Sequence, residues 1–150
     1  SAAGKPQHPL LGAAVAGSQI LWQQQLSAAE PAYLADHQVE GQVVYPGAAY
    51  VETALALARH QLGAQQVQIG QIHFYRALFL PAAERCQFET RLDAESGRYQ
   101  IWSQLPEQPW QLFSAGQLQP CTNITPAPID LAALQARLTE YWPADAFYQH

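Results

Sequence analysis

The chain has 150 residues, of which 49% are apolar, and this is enough for one domain with a buried core. Only 13% of the residues are charged and the net charge is −5, so the clustered Lys and Arg that bind phosphates are missing and no nucleic-acid partner is expected. The sequence contains neither an apolar run long enough to span a membrane nor a secretion signal, which predicts a cytoplasmic chain with no membrane contact.

The N-terminal third is predicted to be extended. Residues 1–12 lack a clear period and form a lead-in, and residues 20–26 are predicted to be a strand. Residues 27–31 are predicted to be a turn. Residues 39–45 are rich in Val and contain Gly41, which indicates a strand or an extended loop.

The strongest predicted helix follows this segment. Pro46 and Gly47 stand at its start and Gly63 at its end, as helix termini favour. Its other face is also mostly small or apolar, which is typical of a helix buried on all sides. Its apolar stripe, which is expected to belong to the core, has members three or four residues apart: Ala48, Val51, Leu55, Ala58 and Leu62.

Strands are predicted for most of the remaining chain. Residues 72–80 form a long apolar stretch, and 86–92, 98–105 and 110–118 are strands separated by short turns. These elements predict an α+β fold, in which an antiparallel sheet of four to six strands wraps around the buried helix. The stretch 120–150 is predicted to be a Pro-rich linker followed by a short amphipathic helix.

The histidines carry the strongest functional signal. None of the five stands at a metal-binding spacing, and no Gly-rich phosphate loop is present, so no metal site is expected. His37 opens the segment HQVEGQVVYPG, in which Gly41 follows after three residues and Pro46 after four more. The other histidines, His8, His60, His73 and His150, are interpreted as structural or exposed.

The spacing from His37 to Pro46 resembles the HxxxGxxxxP motif of polyketide synthase dehydratases. The resemblance continues through most of the chain in the same order. It includes the opening HPLLG at 8–12, the approach to the histidine at 33–37, the helix start at 46–52, the strand region at 72–81 and the late strand at 110–116. In the late strand, Ser114 takes a place that is often His in this family.

Membership of that family implies a hotdog fold, with residues 1–119 as the first half of a double hotdog and 120–150 leading to a second half. It also implies elimination of water from a 3-hydroxyacyl thioester on the phosphopantetheine arm of an acyl carrier protein, with no cofactor bound by the domain itself. The implied partners are the acyl carrier protein, the second hotdog half and other polyketide synthase domains. The family's acid is an Asp in the second half, so this chain alone is expected to be inactive.

The chemistry of the motif agrees with this implication. A neutral imidazole at His37 suits removal of a C2 proton. A backbone N–H at the helix start would polarise the thioester carbonyl, and Gly47 would allow close approach. Gly41 would let the chain turn under the substrate, and Pro46 would fix the loop. Tyr45 is predicted either to border an acyl tunnel or to pack in the core.

Two other functions remain open from the sequence. The chain could be a degenerate half-domain with a structural or acyl-binding role, or a hotdog thioesterase, although thioesterases generally rely on a carboxylate. Asp36 is not proposed as the acid, because neighbours on a strand point to opposite faces. An isolated hotdog is expected to expose an apolar face, which predicts self-association or poor solubility.

Overall fold

A computed structural model describes residues 4–63 and 67–120 of the chain. Within these ranges the chain forms nine β-strands, one α-helix and one short 3-10 helix. In chain order these are β1 (Ala13–Val15), β2 (Ile20–Leu26), the 3-10 helix (Ala32–Asp36), β3 (Gln38–Val39), β4 (Gln42–Val44), α1 (Gly47–Leu62), β5 (Val67–Phe74), β6 (Phe79–Leu80), β7 (Cys86–Leu92), β8 (Arg98–Gln104) and β9 (Gln111–Pro120).

The strands form two antiparallel sheets. The large sheet has the order β1-β2-β7-β8-β9-β5, and the small sheet has the order β3-β4-β6. The predicted meander is confirmed for β7, β8 and β9, which are neighbours in both sequence and space. Helix α1 packs on the large sheet against β5 and β9, so the predicted α+β plan is confirmed. The small sheet was not predicted.

Alternation along the central strands builds the core. In β7, Cys86, Phe88 and Thr90 are buried while Gln87 is exposed, as the period of two predicts. Burial raises the pKa of the Cys86 thiol to about 11, and the nearby Glu84 charge adds to the shift. Each large apolar side chain that is fully buried in this way stabilises the fold by about 1.5–3 kcal/mol.

Helix α1 confirms the predicted helix and both of its ends. Pro46 caps the N-terminus in an extended conformation, and Gly63 caps the C-terminus with a φ of 70°. Val51 and Ala58 of the predicted stripe are buried, and Leu55 and Leu62 are half-buried and pack against the core, whereas Ala48 is only half-buried. A helix that is apolar on all sides offers no period that selects one face. The residues buried in the structure are Ala49, Tyr50, Val51, Thr53, Ala54, Ala56, Leu57 and Ala58.

Residues 8–12 of the predicted extended lead-in form a closed turn. The N–H of Gly12 donates to the His8 carbonyl at 2.8 Å, and the chain then enters β1, which was not predicted. At Gly12, φ is +82° and a Cβ would lie 1.9 Å from the Gln23 carbonyl oxygen. The turn therefore requires glycine at this position, so that β1 can pair with β2.

The apolar stretch 72–80, which lies in the region predicted to contain strands, is divided between the two sheets. β5 begins at Val67 and ends at Phe74, and its register with β9 shifts between Gly70 and His73. β6 then pairs with β4 in the small sheet. Apolar composition alone did not reveal the bend between the two strands. The linker and short helix predicted for 120–150 lie outside the described residues, apart from Pro120, which ends β9.

Candidate active site

A tight hairpin presents His37. The N–H of His37 donates to the Leu34 carbonyl at 3.1 Å and ends the 3-10 helix, and its carbonyl accepts from the Val44 N–H at 2.9 Å. Between these residues the chain reverses at Glu40 and Gly41, whose φ values are 53° and 80°. Two consecutive positive φ values are typical of the turn that joins two strands through two residues. The three residues between His37 and Gly41 are therefore β3 and the first position of this turn.

The same hairpin leads directly into the start of α1. The Tyr45 N–H donates to the Leu78 carbonyl at 2.9 Å, which ties this point of the chain to the segment before β6. The Pro46 carbonyl accepts from the Ala49 N–H at 2.9 Å, and Gly47, which is half-buried, is the first helical residue. The first N–H groups of a helix have no partner within it, and they lie at the positive end of the helix dipole.

His37 is half-buried, and its surroundings favour the neutral imidazole. Desolvation lowers the pKa of His37 below its usual value, because burial disfavours the charged form. The side chain is therefore mostly neutral at pH 7, which a general base requires. Backbone bonds on both sides of the residue fix its Cα on the hairpin that continues into α1.

Tyr45 occupies the core. It is 1% exposed, and its ring centroid lies 4.6 Å from that of Tyr50 and 5.1 Å from that of Phe88. Burial raises the pKa of its hydroxyl well above the usual tyrosine value. Two roles were predicted for Tyr45. Its contacts with the described residues are those of a side chain packed in the core, and a place along an acyl tunnel stays a prediction.

Gly41 lies in a turn, as the sequence suggested, whereas Asp36 is placed differently. Gly41 is exposed, and nothing lies within 4 Å of where its Cβ would be, so backbone conformation rather than space favours glycine there. Asp36 was predicted to lie on a strand, but it is the exposed last residue of the 3-10 helix. The alternation argument therefore does not apply to Asp36 and His37.

Residues 4–63 and 67–120 contain no group of three or more His, Cys, Asp or Glu side chains placed to hold a metal ion. The same ranges contain no helix long and apolar enough to cross a membrane. His8 has a structural role, since its Nδ1 accepts the N–H of Leu10 at 3.1 Å, and His73 is exposed beside Tyr75.

The sequence did not identify the groups that support the hairpin from outside. The Leu78 carbonyl fixes Tyr45, and β6 pairs with β4, although neither feature has a recognisable local pattern. Ser114 is buried and its hydroxyl donates to the His73 carbonyl at 2.9 Å, so its side chain links β9 to β5.

Comparison with known proteins assigns the chain to a family. A family model described as the polyketide synthase dehydratase domain matches residues 8–104. The chain belongs to this family. The dehydratase chain is 37% identical over 134 residues to polyketide synthase GfsA of Streptomyces halstedii, with 83% of the chain covered. It is 34% identical over 133 residues to the highly reducing polyketide synthase pkhB of Emericella nidulans, with 77% covered.

Solved structures confirm the hotdog fold. The dehydratase domain from the CurK module of the curacin polyketide synthase matches with a TM-score of 0.73 and 31% identity, over 87% of this chain and 50% of that one. The CurK dehydratase has also been solved as a His-to-Phe and as an Asp-to-Asn mutant, both described as inactive. This dehydratase chain spans half of the CurK domain, 2% of GfsA and 5% of pkhB.

Proposed function

We propose that this chain is the base-bearing half of a polyketide synthase dehydratase domain, which eliminates water from a 3-hydroxyacyl thioester carried by an acyl carrier protein. The observation that carries the proposal is the half-buried His37, whose lowered pKa keeps it neutral, on a hairpin that continues into the N-terminus of α1. The two inactive CurK mutants support a mechanism that depends on one His and one Asp.

In this mechanism His37 takes a proton from C2 of the substrate. The electron pair of the broken C2–H bond forms the C2=C3 double bond as the C3–O bond breaks. Negative charge that develops on the thioester oxygen is stabilised by the backbone N–H of Gly47 and by the positive end of the helix dipole. The departing hydroxyl accepts a proton from an acid and leaves as water.

The acid is proposed to be an Asp in a second hotdog half, as the family resemblance implies, and the inactive Asp-to-Asn mutant of the CurK dehydratase supports an Asp in this role. Residues 1–119 would then form the first hotdog and 120–150 the connection to the second. The phosphopantetheine arm of the acyl carrier protein would deliver the substrate, with no cofactor bound by this chain. The other domains of the synthase would be its neighbours.

An elimination assay with a 3-hydroxyacyl thioester tests the proposal. It compares the present chain with a polypeptide extended by about one further domain, and with extended variants carrying His37→Ala, Gly47→Val or His73→Ala. We expect turnover only in the extended protein, and its loss with His37→Ala and with Gly47→Val while the fold is retained. His73→Ala is the matched control, because His73 is exposed and lies on β5 of the large sheet, whereas the hairpin belongs to the small sheet.

The assay also separates the two main functions. Absence of turnover in the folded extended protein, with a suitable substrate, would favour a non-catalytic half-domain with a structural or acyl-binding role. Unchanged turnover in Gly47→Val would mean that the backbone N–H of Gly47 does not stabilise the thioester oxygen. His37 would then remain in the mechanism as the base.

A further inference from the structure

The segment between β5 and β6 lies beside the start of α1. Two contacts fix it there, one on each side of Arg76. Before Arg76, the ring centroid of Phe74 lies 5.7 Å from that of Tyr50, which belongs to the N-terminal part of α1. After Arg76, the Leu78 carbonyl accepts the Tyr45 N–H at 2.9 Å. Arg76 is two residues away from each contact, so it stands next to the point where the hairpin continues into the helix.

The side chain of Arg76 is exposed and has no ion pair among the described residues. Its Cζ atom lies 6.0 Å from the centroid of the Phe113 ring, which is buried. The N–H of Tyr75 donates to the Phe113 carbonyl at 2.9 Å, so the backbone beside Arg76 is fixed to the same residue. This cation is therefore held by an aromatic ring rather than by a carboxylate, and its charge is available to an anion from outside.

The position of Arg76 distinguishes it from the other cations that the structure describes. Arg85 and Arg91 are paired with Glu30 and Glu89. The remaining described cations also have no ion pair, but they lie in the N-terminal lead-in, in the last turn of α1 and at the first position of β8, respectively: Lys5, Arg59 and Arg98. Of the unpaired cations in the described ranges, Arg76 is the one beside the N-terminus of α1.

We propose that Arg76 binds the phosphate of the phosphopantetheine arm that carries the substrate. The inference rests on the proposed function, because that function requires a thioester delivered on such an arm. Arg76 does not touch the reacting atoms in this scheme. It is a binding residue that holds the far end of the arm while the thioester lies at Gly47.

The length of the arm agrees with this placement. About 13 bonds separate its phosphorus from its sulfur, which corresponds to about four extended residues, or about 15 Å. From Arg76 the chain runs two residues to Leu78, crosses one hydrogen bond to Tyr45 and runs two residues to Gly47. The Cα atoms of Arg76 and Gly47 are therefore at most about 20 Å apart. The arm and the flexible Arg76 side chain together can span this distance.

A local contact is needed because the chain as a whole does not attract an anion. Its net charge is −5, and interactions between exposed charges are screened beyond about 8 Å at physiological ionic strength. A guanidinium overcomes this at short range, since its fork of N–H groups matches two phosphate oxygens. Contact with an aromatic ring also restricts the side chain before the phosphate arrives, which lowers the entropy cost of binding.

The experiment compares two small substrates in the extended protein. One is a 3-hydroxyacyl thioester of phosphopantetheine and the other is the same thioester of pantetheine, so they differ in the phosphate alone. We expect Arg76→Ala to raise KM about 10-fold for the phosphorylated substrate, the lower end for a charged hydrogen bond because Arg76 is exposed. The KM of the pantetheine substrate and the kcat of both should stay unchanged, since the contact is the same in ground and transition states.

Two further variants define the contact. Arg76→Lys keeps the charge but loses the fork, and it should raise the KM of the phosphorylated substrate less than Arg76→Ala does. Arg98→Ala is the matched control, because Arg98 is also exposed and unpaired in the described ranges, but it lies opposite Gln117 on β9. It should leave the KM of both substrates unchanged.

Binding can also be measured without turnover. Phosphopantetheine with a free thiol is added to the extended protein, and line broadening of its phosphorus NMR signal reports binding of the phosphate. We expect broadening with the wild-type protein and with Arg98→Ala, and a sharper line with Arg76→Ala.

Three outcomes overturn the inference while the proposed function stands. The first is an unchanged KM of the phosphorylated substrate in Arg76→Ala. The second is an equal rise in KM for both small substrates, which would mean that Arg76 only supports the fold of its segment. The third is a rise confined to the substrate on the acyl carrier protein, which would assign Arg76 to carboxylates of that protein. Absence of turnover in the extended wild-type protein, with phosphorus broadening that depends on Arg76, would overturn the elimination and keep the phosphate site.

Discussion

Desolvation, rather than a charged neighbour, sets the protonation of His37. Burial is the cause of its lowered pKa, so the imidazole is kept neutral by its position between the 3-10 helix and β3. A base controlled in this way gains its proton only at a pH below the usual histidine range. The pH dependence of the reaction rate should therefore follow the protonation of the His37 side chain.

The first prediction concerns this pH dependence. As the pH falls, kcat/KM of the extended protein should reach half of its plateau value at a pH below 6.5, the usual histidine pKa. The reason is that His37 remains neutral until the pH reaches its lowered pKa. A pH–rate profile between 4.5 and 8.5 (a range of about two units on either side) measures this. An acidic limb at or above 6.5 would contradict desolvation of the base.

The second prediction concerns the contact between Gly116 and Tyr99 on neighbouring strands. A Cβ at Gly116 would lie 2.5 Å from the hydroxyl oxygen of Tyr99, whose ring is fully buried. Gly116→Ala should therefore lower the free energy of unfolding by about 1–3 kcal/mol, because the ring must shift within a packed core. Urea unfolding followed by tryptophan fluorescence measures the change.

Gly70→Ala provides the control for this substitution. Gly70 lies on β5, its φ is not in the left-handed region, and nothing lies within 4 Å of where its Cβ would be. It should leave stability unchanged or raise it by about 0.4–1 kcal/mol through the unfolded chain. Equal losses in the two variants would show that the Tyr99 contact is not the cause.

Among the elements, those with a strong period or terminal signals could be predicted from the sequence. β2 and β7 have the predicted bounds, and α1 begins after Pro46 and ends before Gly63 as expected. β1 and β6 have three and two residues, too few for any alternation to be recognised. Their existence depends on pairing with β2 and β4, which no local pattern records.

The third prediction concerns the β3–β4 hairpin. Gly41→Val should lower kcat, because a β-branched residue resists the positive φ and the turn that brings Val44 opposite His37 would distort. Gly41→Asn should keep most of the rate, since Asn tolerates this conformation. Turnover of both variants in the extended protein measures the difference. Equal rates would mean that the turn does not position His37.

The order of the large sheet could not be predicted for the molecule as a whole. β2 pairs with β7 and β5 with β9, although long stretches of sequence separate the partners. Local periodicity reports burial but not which strands meet. The same limit applies to the candidate site. The motif around His37 could be recognised in the sequence because its residues are contiguous. The hydrogen bond between the Leu78 carbonyl and the Tyr45 N–H could not be predicted, because these residues are far apart in the sequence.

The fourth prediction concerns association of the chain in isolation. The apolar face expected from the sequence is modest in the described residues, where Tyr33 and Tyr75 are the large apolar side chains with the greatest exposure. β5, however, lies at the edge of the large sheet, and an edge strand presents backbone groups that can pair with another chain. We therefore expect concentration-dependent self-association through β5, measured by light scattering.

Charges placed on that edge should weaken the association. Gln68→Lys with His73→Lys adds two charges at exposed positions of β5 and should shift the chain toward the monomer. Gln87→Lys adds a charge at an exposed position of the central strand β7 and should have no such effect. A wild-type chain that stays monomeric at high concentration would contradict the prediction.

The labelling rate of the buried thiol at the start of β7 can measure how often the sheet opens. Cys86 is 0% exposed and its pKa is raised to about 11, so almost no thiolate is available to a labelling reagent at neutral pH while β7 stays paired with β2. Labelling then proceeds only from molecules in which this pairing has opened. With Cys121 replaced by Ser, the labelling rate of a single thiol would report how often the dehydratase chain exposes the centre of its large sheet.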